Sequence, residues 1–180
     1  MTTQQDIINE TWRSISGYIN YQVSNIGRIR NCVSGRILSG ITNDNGYRII
    51  DLRNEDGIKK FRVHVLVATE FIDKPESNDK LYVDHINHNR TDNQVHNLRW
   101  VTKSQNQMNA TKTSSKTSSE YKGVSFDKRS QKWQAYIMLN RKRIHIGYFN
   151  DENTAGEAYN NKALELFGEF AHLNQIVDDF

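Results

Sequence analysis

The chain has one cysteine and one proline, and it has no long apolar run. A single cysteine, Cys32, excludes an internal disulfide framework and a four-cysteine zinc site, and it is compatible with a reducing compartment. No segment approaches the roughly 18 apolar residues that cross a bilayer, and the polar start MTTQQDIINE lacks a secretory core. We therefore expect a soluble, intracellular protein of the host cytoplasm or nucleus, not secreted and without a membrane partner.

Neither sign of charge dominates the chain, because the net charge is only +3 over 180 residues. Its distribution is uneven: residues 122–149 hold seven Lys or Arg and one acid, and the acids collect after Asn150. This segregation is typical of a nucleic-acid-binding face backed by an acidic helix, although a solvated surface can show it too.

The first part of the chain alternates short apolar segments with turn signals. Residues 12–62 predict four or five short antiparallel strands, separated at Gly27, Gly35, Gly46 and Gly57. Several arginines alternate with the apolar residues of these strands. They either contact phosphate or form the solvent-exposed face of the sheet: Arg28, Arg30, Arg36, Arg48 and Arg53. The spacing of the apolar residues then changes to that of one helical face. Residues 64–72 therefore predict a helix in which His64 is structural.

Residues 82–106 carry the densest set of chemically useful side chains: YVDHINHNRTDNQVHNLRWVTKSQN. We predict a strand over 81–85, a polar loop over 87–97, a second strand over 98–101 and a helix that carries Asn106. In the loop, Asn93 and Asn97 are expected to bond the backbone. The whole forms a strand–loop–strand–helix finger.

Phosphodiester hydrolysis needs an activated water and a positive charge at the leaving oxygen. Asp84 and Asn106 offer the oxygen ligands that Mg²⁺ prefers, if strand and helix face each other. His85 is the best available general base, provided that water reaches it and a bulge or twist turns it into the same cleft as Asp84. Three histidines, His85, His88 and His96, could instead bind a transition metal, but their spacing is not that of a zinc finger.

A Ser/Thr-rich segment, residues 111–120, predicts a flexible linker. After it, residues 121–126, 132–139 and 143–149 predict three antiparallel strands. Asn150, Asp151 or Asn153 is expected to cap a helix over 154–167, which packs on this sheet and ends at Gly168.

The segment VDHINHNRTDNQVHNLRWVT resembles the ββα-metal finger of HNH homing endonucleases of phages and viruses. The segments WRSISGY, YQVSNIGRIR and VHxLVAxxF resemble the module that often precedes such fingers. The resemblance implies that Asp84 and Asn106 bind the metal, that His85 is the general base, and that Asn97 braces the loop and orients His85. Many relatives end the finger with a histidine that binds the metal, and this chain has Asn106 at that position.

The C-terminal block resembles the AP2 DNA-binding domain at YKGV, at the strand containing Trp133, at IGYF and in the helix that ends in ALELFGEFAHLN. That resemblance implies a three-stranded sheet set into the major groove, where a sheet can read base edges. The positions that match DNA-contacting side chains are Lys122, Ser125, Lys128, Arg129, Tyr136, Met138, Arg143 and His145.

Together these patterns predict an α+β protein with N-terminal antiparallel strands and an HNH finger, a flexible linker, and a three-stranded sheet packed on one helix. The expected division is a tail (1–11), the nuclease module (12–110, finger core 81–110), the linker (111–120), the AP2-like domain (121–174) and a tail (175–180).

The predicted function is site-recognising DNA cleavage with Mg²⁺ or Mn²⁺ on double-stranded DNA, with no small-molecule cofactor, by a monomer or weak dimer. The alternatives are a non-cutting DNA-binding regulator that uses the AP2-like domain and a nuclease for single strands or RNA.

Overall fold

The structure is a computed structural model of the chain, and it describes residues 8–110 and 118–177. Two compact units are present, Met1–Thr102 and Lys103–Phe180. Their boundary lies eight residues before the one that the sequence predicts at 110/111, so the helix that carries Asn106 belongs to the second unit. None of the described helices combines the length and the apolar composition that a membrane crossing requires.

The first unit contains two meandering antiparallel sheets. One has the order β1-β2-β3-β4 and the other β5-β6-β7. Their strands are β1 (Trp12–Ile15), β2 (Tyr18–Ser24), β3 (Ile29–Asn31), β4 (Ile37–Leu38), β5 (Ile41–Thr42), β6 (Arg48–Asn54) and β7 (Gly57–Arg62). The number of strands exceeds the predicted four or five.

Gly40 explains part of the excess, because it breaks the segment RILSGIT into two strands; the rest is the turn at Gly17, which separates β1 from β2. The φ of Gly40, 62°, lies in the left-handed region, and a Cβ at this position would lie 2.6 Å from the carbonyl oxygen of Ile49. Only glycine tolerates both conditions. The chain therefore leaves the first sheet after β4 and enters the second at β5.

A helix and a strand pair complete the first unit. Helix α1 (Val63–Phe71) starts one residue before the predicted helix, and β8 (Leu81–His85) pairs antiparallel with β9 (Leu98–Thr102). Apolar side chains from both sheets, from α1 and from β9 form one core, including the fully buried Val23, Leu52 and Val67. This core fixes the helix and the strand pair on which the candidate site is built.

The second unit begins with α2 (Lys103–Asn109), whose Met108 packs on the core of that unit. Its sheet has the order β10-β11-β12, with β10 (Val124–Asp127), β11 (Lys132–Leu139) and β12 (Lys142–Phe149). Helix α3 (Glu152–Phe167) covers one face of this sheet and buries Ala155, Tyr159 and Ala163 at a spacing of four residues. The antiparallel sheets and packed helices establish the predicted α+β class.

Both ends of α3 have the chemistry that the sequence predicts. The Asp151 carboxylate accepts a hydrogen bond from the Thr154 amide at 2.7 Å, which caps the first turn and lowers the pKa of Asp151. Gly168 follows the last turn with a φ of 52°. Asp151 is thus the cap among the three candidates.

The predicted linker lies partly outside the described residues, which resume at Ser118. The Ser118 and Ser119 side chains do not belong to a free linker. Ser118 Oγ accepts a hydrogen bond from the Phe126 amide at 2.8 Å, and the buried Ser119 donates to Glu152 Oε1 at 2.6 Å. These bonds tie the last residues of the predicted linker to the second unit.

Candidate active site and nucleic-acid interface

His85 is the last residue of β8, where the chain turns out of the strand pair into the finger loop, residues 86–97. Its Nε2 lies 3.1 Å from Asn93 Oδ1. The orientation of Asn93 is fixed because its Nδ2 donates to the Thr91 carbonyl oxygen at 3.1 Å. Since Asn93 Oδ1 can only accept, Nε2 carries the proton in the neutral imidazole, and Nδ1 is the basic nitrogen.

Two further rings from distant parts of the first unit pack beside His85. The His64 ring centroid lies 4.8 Å from that of His85, and Tyr47 lies 4.9 Å from His64 and 6.1 Å from His85. This ring cluster leaves His85 only 4% exposed. The base role depends on water reaching His85, and Tyr47 and His64 restrict that access to the small part of the residue that stays exposed.

Burial sets the protonation state of both histidines. It lowers the pKa of His64 to about 3, with smaller contributions from the nearby charges of His85 and Arg62. Burial also lowers the pKa of His85, although the hydrogen bond to Asn93 and the carboxylates of Asp84 and Asp92 act in the opposite direction. His85 is therefore neutral, and able to accept a proton, at neutral pH.

Asn97 closes the finger loop on itself. Its Nδ2 donates to Asn87 Oδ1 at 2.9 Å and to the Asp92 carbonyl oxygen at 2.8 Å, and its Oδ1 accepts from the Asn87 amide at 3.0 Å. The side chain bonds both the backbone and Asn87, and it is buried. Asn97 thus has the geometry of a loop brace, whereas Asn93 is the asparagine that bonds His85.

Asp84 precedes His85 on β8 and lies opposite Arg99 on β9. Its Oδ2 is 3.2 Å from Arg99 Nε, and both side chains are largely buried. The sequence predicts a bulge or twist that turns Asp84 and His85 into one cleft, but β8 and β9 pair without a register shift. His85 is still paired with Leu98 as the last residue of the strand, and the Asp84 carboxylate lies near enough to raise its pKa.

Asn106 lies on α2, in the second unit, and its side chain is exposed. Among the described residues, no group of three His, Cys, Asp or Glu side chains could hold a metal ion. One carboxylate and one amide oxygen remain a donor set that suits Mg²⁺, which keeps several water ligands. The pairing of Asp84 with Asn106 stays a prediction.

The face of the β10-β11-β12 sheet that is opposite α3 gathers five of the predicted DNA-contacting residues. Cross-strand pairing places Tyr136 beside His145 and Met138 beside Arg143, while Ser125 pairs with Gln134 on the same face. Met138 is 51% exposed, whereas its neighbour Ile137 is buried on the α3 side. This outer sheet face is therefore polar, accessible and supported by a packed core.

Hydrogen bonds and stacking organise the outer sheet face. Arg143 Cζ lies 3.7 Å from the centroid of the Tyr136 ring, and Arg143 Nη2 donates to Gln134 Oε1 at 2.9 Å. Gln134 Nε2 in turn lies 3.2 Å from His145 Nδ1. The guanidinium is thus held in a defined direction on an exposed surface, as a side chain that reads base edges requires.

The other three predicted DNA contacts lie elsewhere. Lys128 and Arg129 are exposed in the turn between β10 and β11. Lys122 is directed inward: its Nζ donates to the carbonyl oxygens of Met108 and Ala110, at 2.8 and 2.6 Å, and burial lowers its pKa to about 8. The prediction that Lys122 contacts DNA is not supported, because these carbonyl groups at the end of α2 already bind its ammonium group.

Sequence reasoning misses three contributors to the site. It gives Asn93 a loop role alone, treats His64 as structural without placing it beside His85, and assigns Tyr47 no role. Asn93 can be found from the sequence only by asking which polar loop side chain faces His85. The ring cluster has no local signal, since its members lie 17 and 21 residues apart in the chain.

Two family models match the chain in succession. The model of the NUMOD4 motif matches residues 10–53, and the model of the HNH endonuclease matches residues 61–108, which include His85, Asn93, Asn97 and Asn106. The matched segments therefore contain the first sheet, β5, nearly all of β6 and the entire finger, while most of β7 lies between them.

The chain is also similar to individual proteins. It is 41% identical over 92 residues to DNA endonuclease I-HmuI of Bacillus phage SP01, which covers 51% of this chain and 52% of that protein. A solved structure titled "DNA binding and cleavage by the HNH homing endonuclease I-HmuI" matches with a TM-score of 0.47 and 41% identity, over 51% of this chain and 52% of that chain.

A plant protein matches over a shorter length. The AP2-like ethylene-responsive transcription factor of Arabidopsis thaliana is 32% identical over 63 residues, which is 35% of this chain and 13% of that protein. This chain thus spans about half of the phage endonuclease and a small part of the plant factor.

Proposed function

We propose that this chain, which belongs to the HNH endonuclease family and carries a NUMOD4 motif ahead of the HNH segment, is a site-recognising DNA endonuclease that nicks one strand. The observation that carries the proposal is the hydrogen bond from His85 Nε2 to Asn93 Oδ1 at 3.1 Å. It fixes a neutral imidazole with Nδ1 as its basic nitrogen, inside the segment that matches the HNH model.

His85 acts as the general base in this proposal. A water molecule attacks the phosphorus atom while Nδ1 takes its proton. The new bond from oxygen to phosphorus forms as the bond to the 3′-oxygen breaks. The departing 3′-oxygen takes a proton from solvent, so the products are a 5′-phosphate and a 3′-hydroxyl. Because His85 is only 4% exposed, the reacting water has to approach along one edge of the ring.

Asp84 and Asn106 are the residues that we propose as ligands of a divalent cation, Mg²⁺ or Mn²⁺. When bound, such a cation supplies the positive charge that stabilises the reacting phosphate and the departing 3′-oxygen. The Arg99 guanidinium at 3.2 Å holds the Asp84 carboxylate in a fixed direction. Asn97 keeps the finger loop closed, so that Asn93 stays against His85.

The outer sheet face of the second unit is the proposed recognition surface. Ser125, Tyr136, Met138, Arg143 and His145 would contact the major groove, and Lys128 and Arg129 in the exposed turn would contact phosphates. Each chain carries one finger, which predicts a nick by a monomer on double-stranded DNA.

Nicking of a supercoiled plasmid tests the proposal. Purified protein should convert the plasmid to relaxed circles with Mg²⁺ and leave it supercoiled with EDTA, and end labelling should find 5′-phosphates at the nick. A single-stranded substrate of the same sequence should be cut more slowly. Duplex binding without nicking at any divalent cation would contradict the proposal and leave a non-cutting regulator.

A further inference from the structure

Two arginines converge on Tyr47, the outermost ring beside the histidine pair. Arg62 Cζ and Arg90 Cζ each lie 5.0 Å from the centroid of the Tyr47 ring. Arg62 comes from the end of β7 and Arg90 from the finger loop, and both side chains are exposed. The first unit therefore brings two positive charges from distant parts of the sequence to one tyrosine.

The Arg90 guanidinium is held in position. Its Nη1 donates to the carbonyl oxygen of Asn45 at 2.8 Å, and its side chain passes over the Asn45-Gly46 turn. Gly46 allows the φ of 79° that this turn requires, and a Cβ there would lie in ordinary van der Waals contact with Arg90 Cδ, at 3.8 Å. Arg90 is thus preorganised, which lowers the entropy that a bound ligand would otherwise have to remove.

Neither guanidinium is neutralised within residues 8–110 and 118–177, where no carboxylate forms an ion pair with Arg62 or Arg90. Other arginines of the first unit are engaged: Arg28 pairs with Glu10 at 3.2 Å, and Arg48 donates to the Ser39 carbonyl oxygen at 2.6 Å. Two cations that contact one ring, with no carboxylate paired to either in those ranges, favour an anion beside them.

We infer that Arg62 and Arg90, stacked on Tyr47, form a phosphate-binding site that holds the DNA backbone next to His85. A guanidinium offers a planar fork of donors that fits phosphate oxygens, and stacking on a tyrosine leaves the edge of that fork available. The ligand class is a phosphodiester of a nucleic-acid strand. This inference rests on the proposed function, because it places those phosphates where His85 would act.

The test compares salt dependence of binding, measured in EDTA so that no cutting occurs. A short duplex of arbitrary sequence is titrated with wild type, Arg62→Gln and Arg90→Gln over a range of NaCl. Each lost phosphate contact should reduce the slope of log K against log salt by about 0.9. Lys59→Gln is the matched control, because Lys59 is an exposed cation of β7 that lies three residues before Arg62, about 10 Å along the strand.

Lysine variants separate a phosphate contact from a structural role. Arg62→Lys and Arg90→Lys keep the charge, so their slopes should stay at the wild-type value while nicking falls several-fold because the planar fork is lost. The inference is wrong if the glutamine variants keep the wild-type slope, or if the lysine variants lose as much slope as the glutamine variants.

The same data distinguish the inference from the proposed function. A wild-type protein that nicks plasmid, together with unchanged slopes in both glutamine variants, removes the phosphate site and keeps the endonuclease. A wild-type protein that never nicks, together with reduced slopes, removes the endonuclease and keeps a phosphate-binding site at Arg62 and Arg90.

Discussion

The finger loop and the outer sheet face are both rich in polar side chains, but they use them in opposite ways. In and beside the loop, His85, Asn93 and Asn97 are each 4% exposed and bond to one another or to the loop backbone. On the sheet, Met138 and Tyr148 are 51% and 48% exposed. Buried networks fix one geometry, as proton transfer requires, while exposed side chains remain available to a partner.

This contrast predicts that changes in the loop reduce cutting, whereas changes on the sheet reduce binding. The largest separable effect is expected at Asp84. Asp84→Asn keeps the shape of the side chain but removes its charge, so nicking should fall at least about a hundredfold and need more Mg²⁺, since a metal supplies several kcal/mol to the transition state. The measurement is nicking rate against Mg²⁺ concentration.

Arg99→Gln is the control for Asp84, because it breaks the same ion pair and leaves the carboxylate in place. Its Mg²⁺ titration should shift much less than that of Asp84→Asn, because the carboxylate loses a partner that holds its direction but keeps its charge. If Arg99→Gln and Asp84→Asn shift the titration equally, Asp84 acts through the ion pair and is not a metal ligand.

The second effect concerns Asn93. Asn93→Ala removes the acceptor that holds His85 Nε2, so nicking should fall roughly tenfold, in line with the loss of one buried hydrogen bond. Because that bond raises the pKa of His85, the acid limb of the pH–rate profile should also move to lower pH. Asn89→Ala removes an acceptor of Thr91 and not that of His85, so it should move the profile less than Asn93→Ala; an equal shift would refute the role of Asn93.

The third effect belongs to the sheet. Arg143→Ala should weaken duplex binding by about 1–3 kcal/mol, as expected for a side chain that reads a base, and leave the nicking rate at saturating protein unchanged. Lys142→Ala removes the neighbouring exposed cation of β12 and should have the smaller effect. Fluorescence anisotropy on the cognate duplex measures both, and a lower saturated rate in Arg143→Ala would break the division between cutting and binding.

Long-range contacts explain what the sequence predicts and what it misses. The bounds of β8 and β11 agree with the prediction, Leu81–His85 and Lys132–Leu139, because alternation along one strand is a local property. The outer sheet face follows from the same alternation. The Asp151 cap and the end of α3 at Gly168 are local signals too.

The ring cluster and the inward Lys122 depend on tertiary packing. Tyr47 and His64 reach His85 only after α1 and the second sheet have packed on one core. The sequence around Lys122 is typical of an exposed basic residue. Nothing near it in the sequence indicates that its ammonium group donates to carbonyl groups at the end of α2. Binary patterns and motifs do not encode such contacts.

The last prediction concerns stability and not cutting or binding. Because the pKa of His64 is lowered from 6.5 to about 3 in the folded state, the unfolded chain binds the proton first as pH falls. Stability should therefore decrease as pH falls from about 6.5 towards 3, by at most about 1.4 kcal/mol per pH unit from this group. His85, whose pKa is also lowered, contributes in the same direction.

Thermal melting against pH measures this linkage. His64→Leu should flatten the pH dependence without removing it, since His85 still contributes. His96→Gln, which replaces an exposed histidine of the finger loop, is the control for this variant. A full wild-type slope in His64→Leu would show that the buried imidazole takes no part.

Parallel nicking and binding assays on His85→Ala test the central claim most directly, namely that a buried neutral imidazole cuts DNA which other residues hold. Loss of a general base should slow nicking by a factor of about 10² to 10⁴ in Mg²⁺, while duplex affinity in EDTA stays at the wild-type value. Wild-type nicking by this variant would contradict the assignment of His85 as the base.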